Sequence, residues 1–414
     1  MIGIRKTMDR LVANVGSVAR WLLLVLVACS ASGGESTVDP GGSDASDTSE
    51  FVPPDVGGDA ECLAGDPNDD YDGDGYTIAQ GDCNDCSIYV NPGAYDFPGN
   101  GVDEDCNGIV DDEPDDCDTD LVDAEDPQDA ARSLGLCRFT AADAIGKDRT
   151  WGVIRAAYVF ADGSASSAVP FPSQWPCVGS GGVGAPPNPL SYGVLPKFGI
   201  VTPPHGGSMV LLSTGVAREV EDRTSPQAGV MCTKSATPPG FPTPSTAACP
   251  DTIIDDTPVA HDPVALELNI RVPTNARSFS FYFNFYTVEY PDWICKAYND
   301  FFVTLLYSNH PDTPSNNNIS FDKLGNPVSV NNGFLEVCDG CTYNPFELEG
   351  TGFEQHAATG WLQTVASVLP GEEITLRFAI WDMRDEYLDS AVLIDFFRWD
   401  LEPGQAGTVR PPLY

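Results

Sequence analysis

The chain has 414 residues, with 61 Asp+Glu against 21 Lys+Arg and a net charge of -40. Phosphate recognition needs clustered Lys and Arg, so this balance argues against nucleic acid and against a polybasic membrane patch. The length fits two or three domains, and 42% hydrophobic residues suffice for a packed core. The charge is uneven: from Trp21 to Ala131 there are 30 acids and no base.

Arg5, Lys6, Arg10 and Arg20 precede the apolar run Trp21–Ala28. A bilayer span needs about 20 residues. This shorter run behind a basic segment has the form of a signal peptide. Leu26-Val27-Ala28-Cys29 resembles a bacterial lipobox. That resemblance makes 1–28 a lipoprotein signal peptide and Cys29 the lipidated residue. A general secretory signal with an incidental Cys is the alternative. Ser30 in place of Asp favours the outer membrane, so the expected location is the bacterial outer membrane or cell surface, reached through a lipid anchor. Residues 29–58, rich in Ser, Gly, Asp, Pro and Thr, read as a disordered tether spanning roughly 30 Å.

Of the 13 cysteines, Cys29 is set aside for lipid. The others, Cys62, Cys83, Cys86, Cys106, Cys117, Cys137, Cys177, Cys232, Cys249, Cys295, Cys338 and Cys341, are disulfide candidates in an oxidising compartment. Spacing does not fix their pairing. Cys295, Cys338 and Cys341 are expected to share one end of the later domain. The two C-x-x-C pairs, Cys83/Cys86 and Cys338/Cys341, lie too far apart for a zinc ribbon, and neither sits in a thioredoxin-like context.

Residues 59–126 form an acidic module. Asp70-Tyr71-Asp72-Gly73-Asp74-Gly75 fits D-x-D-x-D-G, and Asp103-Glu104-Asp105-Cys106-Asn107-Gly108 repeats the spacing. Alternate carboxylates in a tight loop converge on a hard cation, and Gly at the sixth position permits the turn. Gly81 and Pro114 stand where an EF-hand has its closing Glu. Asp82, Asp85, Asp111 and Asp112 are therefore expected to complete the shells. The metal ligands are read as Asp70, Asp72, Asp74, Asp82, Asp85, Asp103, Asp105, Asn107, Asp111 and Asp112, and the cofactor as calcium. Residues 66–126 hold 21 acids and no base. Two carboxylates about 5 Å apart repel by roughly 3 kcal/mol at an effective dielectric of 20, so a segment this poor in apolar residues needs ions or disulfides to fold. The bland alternative is a solvated acidic linker.

The run Asp72–Tyr76, then Gly81–Asp85, then Asn91–Ala94, then Gly101–Gly108 resembles the MopE-type metal-binding motif of bacterial secreted and surface proteins, over about 66–113. That motif sometimes carries a copper label. The donors here are hard oxygens without His, which suits calcium.

Residues 127–150 read as a connecting helix and linker, with the helix from Pro127 to Leu136. Beyond it the chain reads as mainly β, a disulfide-rich β-sandwich or jelly-roll-like domain over 151–402, with a tail at 403–414. Expected strands are Trp151–Phe160, Ser208–Thr214, Val264–Val272, Ser278–Val288, Asp300–Tyr307, Ile374–Trp381 and Ser390–Trp399. Phe279, Phe281, Phe283 and Phe285 alternate with Ser280, Tyr282, Asn284 and Tyr286, whose face is not polar enough to lie bare. The stretches 163–207 and 222–262 read as long Pro/Gly-rich loops.

Leu212–Gly215, Leu266–Leu268, Phe279–Phe281, Val288–Pro291, Tyr298–Phe302, Leu376–Asp382, Asp385 and Asp389–Val392 together resemble the choice-of-anchor L domain, over about 195–400. The resemblance implies a bacterial surface or secreted protein. Glu289, Asn299, Asp300, Asp382, Asp385 and Asp389 fall at strand ends. Two readings stand: a second metal site, or turn caps accepting backbone hydrogen bonds. A pair such as Glu289/Asp382 would otherwise serve glycoside hydrolysis. Trp293, Trp361, Trp381 and Trp399 are either core or, in part, a sugar-stacking platform. No H-E-x-x-H, G-x-S-x-G, P-loop or dinucleotide fingerprint occurs. The expectation is a non-enzymatic surface protein in which the acidic module is a spacer and the sandwich binds a polysaccharide or protein. The rival is a carbohydrate-active hydrolase or carbohydrate-binding module.

Overall fold

The computed structural model describes residues 65–112, 117–121, 125–166, 186–218, 231–242, 249, 258–331, 333–343 and 345–411. The expected signal peptide, Cys29, the tether, Cys62 and Cys177 lie outside the described residues.

Among the described residues thirteen strands follow in chain order: β1 Gly152–Val159, β2 Tyr192–Leu195, β3 Met209–Ser213, β4 Lys234–Ala236, β5 Val259–Arg271, β6 Ser278–Thr287 and β7 Phe301–Tyr307. The later ones are β8 Val328–Ser329, β9 Ala357–Ala358, β10 Leu362–Ser367, β11 Glu373–Met383, β12 Ser390–Asp400 and β13 Gly407–Val409. They form two antiparallel sheets. One runs β1-β5-β11-β7-β8, with β4 continuing the β1 edge of β5; the other runs β13-β10-β6-β12-β3-β2, with β9 also on β6. All seven expected strands are present. The expected loops each hold a short strand, β2 and β4, and the expected tail supplies β13, which pairs with β10. These pieces escape pattern reading because three or four residues carry too little alternation.

The aromatic ladder of β6 explains how the sheets meet. Its four phenylalanines point into the inter-sheet core, and Phe281 and Phe283 each lie 4.9 Å, centroid to centroid, from Phe378 and Phe302 of the other sheet. Full burial of each such ring contributes roughly 1.5–3 kcal/mol. The opposite face of β6 is covered as its composition requires: Asn284 and Tyr286 are buried, and Tyr286 packs with Phe198 and Phe353. Trp381 and Trp399 are core residues. The connecting segment is part of this core too. Helix α1, Pro127–Ser133, starts at Asp126, whose side chain accepts from the Gln128 amide, with Pro127 at the first helical position. Ala130, Ala131, Leu134 and Leu136 bury against the strands.

The acidic module is not a free spacer. Tyr95 and Asn275 exchange hydrogen bonds, amide to side-chain oxygen at 2.9 Å and side-chain nitrogen to carbonyl at 2.8 Å. The Thr274 amide donates to the Gly93 carbonyl at 3.0 Å. Asp118 accepts from the amides of Gly207 and Ser208 at 2.8 and 2.9 Å. Disulfides join Cys83–Cys106, Cys117–Cys137, Cys249–Cys295 and Cys338–Cys341, and Cys86 and Cys232 are also disulfide-bonded. Cys117 thus ties the module to the segment after α1, and Cys295 pairs with Cys249 instead of with the Cys338/Cys341 pair.

Candidate metal centre

Asp70 opens a loop that its own carboxylate closes. Its Oδ1 accepts from the Gly73 amide at 2.7 Å and its Oδ2 from the Gly75 amide at 3.0 Å. Gly73 and Gly75 have φ of 81° and 96°, the left-handed region that glycine enters without penalty. The next acids each bind one amide. Asp72 Oδ1 takes Asp74 at 3.1 Å, Asp74 Oδ1 takes Tyr76 at 2.8 Å, Asp82 Oδ1 takes Asn84 at 2.8 Å and Asp85 Oδ1 takes Tyr71 at 3.0 Å. This leaves Oδ2 of Asp72, Asp82 and Asp85 buried without a hydrogen-bond partner.

Carboxylate oxygens of these acids converge in two groups. One oxygen each from Asp70, Asp72 and Asp85 lies within 4.8 Å of the others, and the same holds for Asp72, Asp74 and Asp82. Asp72 is common to both groups. Among the described residues no ion pair involves any of these five acids. Burial pushes the Asp74 carboxyl up to about 7 and that of Asp82 up to about 6, with the neighbouring aspartates adding to the shift. Asp72 is raised by the same causes. A buried carboxylate oxygen lacking a donor is costly. A hard cation among these oxygens removes that cost and the repulsion together.

A second group joins Asp105 and Asp112 to Asp96, which the sequence reading missed. Asp96 stands alone between Tyr95 and Phe97, and no spacing rule marks it. Its Oδ1 is buried and unpartnered, and burial followed by the Glu104 and Asp112 carboxyls pushes it up to about 8. Arg138 lies 2.6 Å from Asp105 Oδ2, so this group already holds one positive charge. The first group, which has none, is the stronger cation site.

The remaining expected ligands do other work in this structure. Asp103 accepts from the amides of Asn107 and Gly108 at 3.1 and 2.9 Å. Asn107 donates to Asp112 at 2.8 Å. Asp111 Oδ1 accepts from the amides of Gly99, Asn100 and Gly101 at 2.8–2.9 Å. These three build the loops and stand outside the converging groups.

The acids expected at strand ends also gather, at one end of the sandwich. Glu289, Asp300, Asp382 and Asp389 are buried, and both oxygens of Asp382 and Oδ1 of Asn299 are buried without a hydrogen-bond partner. Asp300 receives the Ser390 hydroxyl at 2.6 Å, and its amide donates to Glu289 Oε2 at 3.3 Å. Asp385 is partly exposed and accepts from the Tyr387 amide at 3.1 Å. Burial, then the charge of Asp300, raises Glu289 well above its ordinary value. Burial, then Asp300, Asp389 and Asp262, does the same to Asp382, with the Thr214 hydroxyl acting against it. Asp262 was missed. It sits at a bulge in β5 beside Pro263, where alternation breaks, and accepts from the amides of Met231 and Thr233, both at 2.9 Å.

Residues 206–396 match the Choice-of-anchor L domain, and residues 82–112 match a MopE-type metal-binding motif. The first match runs from just before β3 to within β12, and the second takes in Asp96, Asp105 and Asp112 but, of the first group, only Asp82 and Asp85. The chain is similar to both over these stretches, and the two matches together support a surface-associated protein with a segment of metal-binding type. No curated protein matches the chain. Among the described residues no helix is long and apolar enough to cross a membrane. The donor set fits a hard ion: every converging atom is a carboxylate oxygen, Cys83 and Cys106 are spent in a disulfide, and the segment has no His.

Proposed function

We propose that this is a non-enzymatic, lipid-anchored protein of the bacterial cell surface, with calcium bound in its acidic loops and a β-sandwich that presents an adhesive or ligand-binding face. The observation behind calcium is the convergence of Asp70, Asp72 and Asp85, and of Asp72, Asp74 and Asp82, where Asp72, Asp82 and Asp85 each keep one buried oxygen without a hydrogen-bond partner. Oxygen-only coordination with several carboxylates is calcium chemistry, and affinities of about 10⁻⁴–10⁻³ M are usual for extracellular modules. Calorimetric titration of the full mature chain is expected to show calcium uptake in that range or tighter. No uptake at millimolar calcium, or tight copper binding in its place, would sink the assignment. Lipid attachment rests on Leu26–Cys29, and its test is incorporation of labelled fatty acid that Cys29→Ser abolishes. The burial of Glu289 and Asp382 supports the non-enzymatic reading, because a saccharide needs an open cleft to reach a carboxylate pair.

One observation favours a carbohydrate ligand for the sandwich. A cleft of about 340 Å³ is lined by Tyr282, Tyr343 and Trp361, with Glu347 and Arg410 among the polar groups. The Arg410 guanidinium lies 4.6 Å from the centre of the Tyr343 ring. Aromatic faces beside charged hydrogen-bonding groups suit a sugar ring. Screening against a glycan panel is expected to find a ligand whose binding Trp361→Ala removes; binding unchanged in that variant would place the ligand elsewhere.

A further inference from the structure

The inter-sheet core has an abrupt chemical boundary. On β11 the inward row Ile374, Leu376, Phe378, Ile380 continues to Asp382. On β7 the row of Leu306 and Phe302 continues, through Thr304, to Asp300. On β6 the phenylalanine row continues through Thr287 to Glu289, and on β12 that of Ile394 and Val392 continues to Ser390. Period-two alternation thus aims one polar side chain from each of four strands into the same end of the core. The pairing register agrees, since Trp381 faces Phe301 and Ser390 faces Thr287. Asp389 adds a carboxylate beside Gly215, where even a methyl group would overlap it. Asp382 is 1% exposed, and neither oxygen makes a hydrogen bond of good geometry, although the Thr214 hydroxyl and Asp300 act on it.

We propose that this end of the sandwich is a second hard-cation site, built by Asp382 with Asp300, Glu289 and Asp389, that takes a calcium-class divalent ion between the two sheets. Apolar rows that end in carboxylates from both sheets leave like charges facing one another across the core. Only a cation or bound protons can hold them there. All the donors are oxygens, which excludes a preference for soft metals. Unlike the loop acids, no three of these residues bring their oxygens within 4.8 Å of one another, so the ion would draw them together, and calcium, with its longer bonds and flexible geometry, is favoured over magnesium. The ion would cross-link the ends of β6, β7, β11 and β12. This site is independent of the N-terminal loops.

The test uses the full chain with the loops silenced by Asp72→Asn, Asp82→Asn and Asp96→Asn. Native mass spectrometry in calcium is expected to show one remaining equivalent, and amide exchange around 382–390 is expected to slow when calcium replaces a chelator. Adding Asp382→Asn should remove the equivalent and make melting in calcium equal to melting in chelator. If that variant does not fold, the exchange comparison on the loop-silenced parent decides alone. Absence of a remaining equivalent, with exchange and melting identical in calcium and chelator, overturns the proposal and leaves the carboxyls neutralised by protons.

Discussion

Asn91 and Thr274 join the metal loops to the sandwich through one hydrogen bond, 2.7 Å from the threonine hydroxyl to the asparagine side-chain oxygen. The other end of the same asparagine donates to Asp74 Oδ2 at 2.8 Å. A ligand candidate, a fully buried amide and the turn between β5 and β6 therefore form one relay. Replacing Asn91 with Ala leaves both neighbours without their partner. Such losses cost roughly 1–3 kcal/mol. We expect Asn91→Ala to lower the urea midpoint accordingly and to weaken calcium binding; a change in stability with unaltered calcium affinity would uncouple the two.

Chelation has a graded effect on this arrangement. Without a cation the five carboxylates at Asp70–Asp85 repel, yet the contacts at Tyr95/Asn275 and Asp118/Ser208 do not involve them. Amide exchange at Tyr71, Gly73 and Gly75 is therefore expected to accelerate on adding chelator, while exchange in β6 and β11 changes far less. Uniform acceleration across the chain would show that the loops are not a separate cooperative unit.

The pH dependence has a definite sign. Asp74, Asp82 and Asp96 sit at about 7, 6 and 8 against an ordinary value of 3.8. Their folded values are raised, so between pH 4 and 8 the native metal-free chain holds more protons than the unfolded one. Their contribution to stability is present at low pH and is lost as pH rises through 6 to 8. Calcium reverses this, since it displaces those protons and binds more tightly at high pH. Melting temperature in chelator is expected to be higher at pH 5.5 than at pH 8, and the gain on adding calcium larger at pH 8. A calcium effect independent of pH would contradict this.

Glu267 is a structural counterpart to the metal sites. Its Oε2 receives two nitrogens of Arg377, at 2.6 and 3.0 Å, and its Oε1 receives Arg155 at 3.0 Å. The Arg377 pair is largely buried, whereas Arg155 is half-exposed and adds little. Glu267→Ala strands the buried guanidinium, and we expect a loss of about 3–5 kcal/mol by denaturant unfolding. Arg155→Ala should cost under about 1 kcal/mol.

Sequence legibility followed signal strength. The β6 ladder and the two D-x-D-x-(D/N)-G copies were readable because their spacing is the physics itself: two residues per sheet face, and two residues between converging carboxylates. Ligand identity within the second copy was not readable. Asp103 and Asp105 look equivalent in the sequence, but Asp103 faces its own turn while Asp105 meets Asp96 and Asp112. Asp96 and Asp262 carry no local pattern and reach their groups only through tertiary placement. The docking of the module was hidden for the same reason, since Tyr95 and Asn275 are 180 residues apart.

The Cys83–Cys106 bridge closes a ring that carries Asp85, Asp96, Asp103 and Asp105 and is flanked closely by Asp82 and Asn107. Both acidic groups are therefore stitched to one covalent loop. When ions leave in calcium-poor surroundings, the ring keeps the two halves of the ligand set as neighbours, and their return needs no search through an unfolded chain. Under the proposed function, oxidation during export would record the loop arrangement once, and calcium would then come and go as a reversible reading of the water outside the cell.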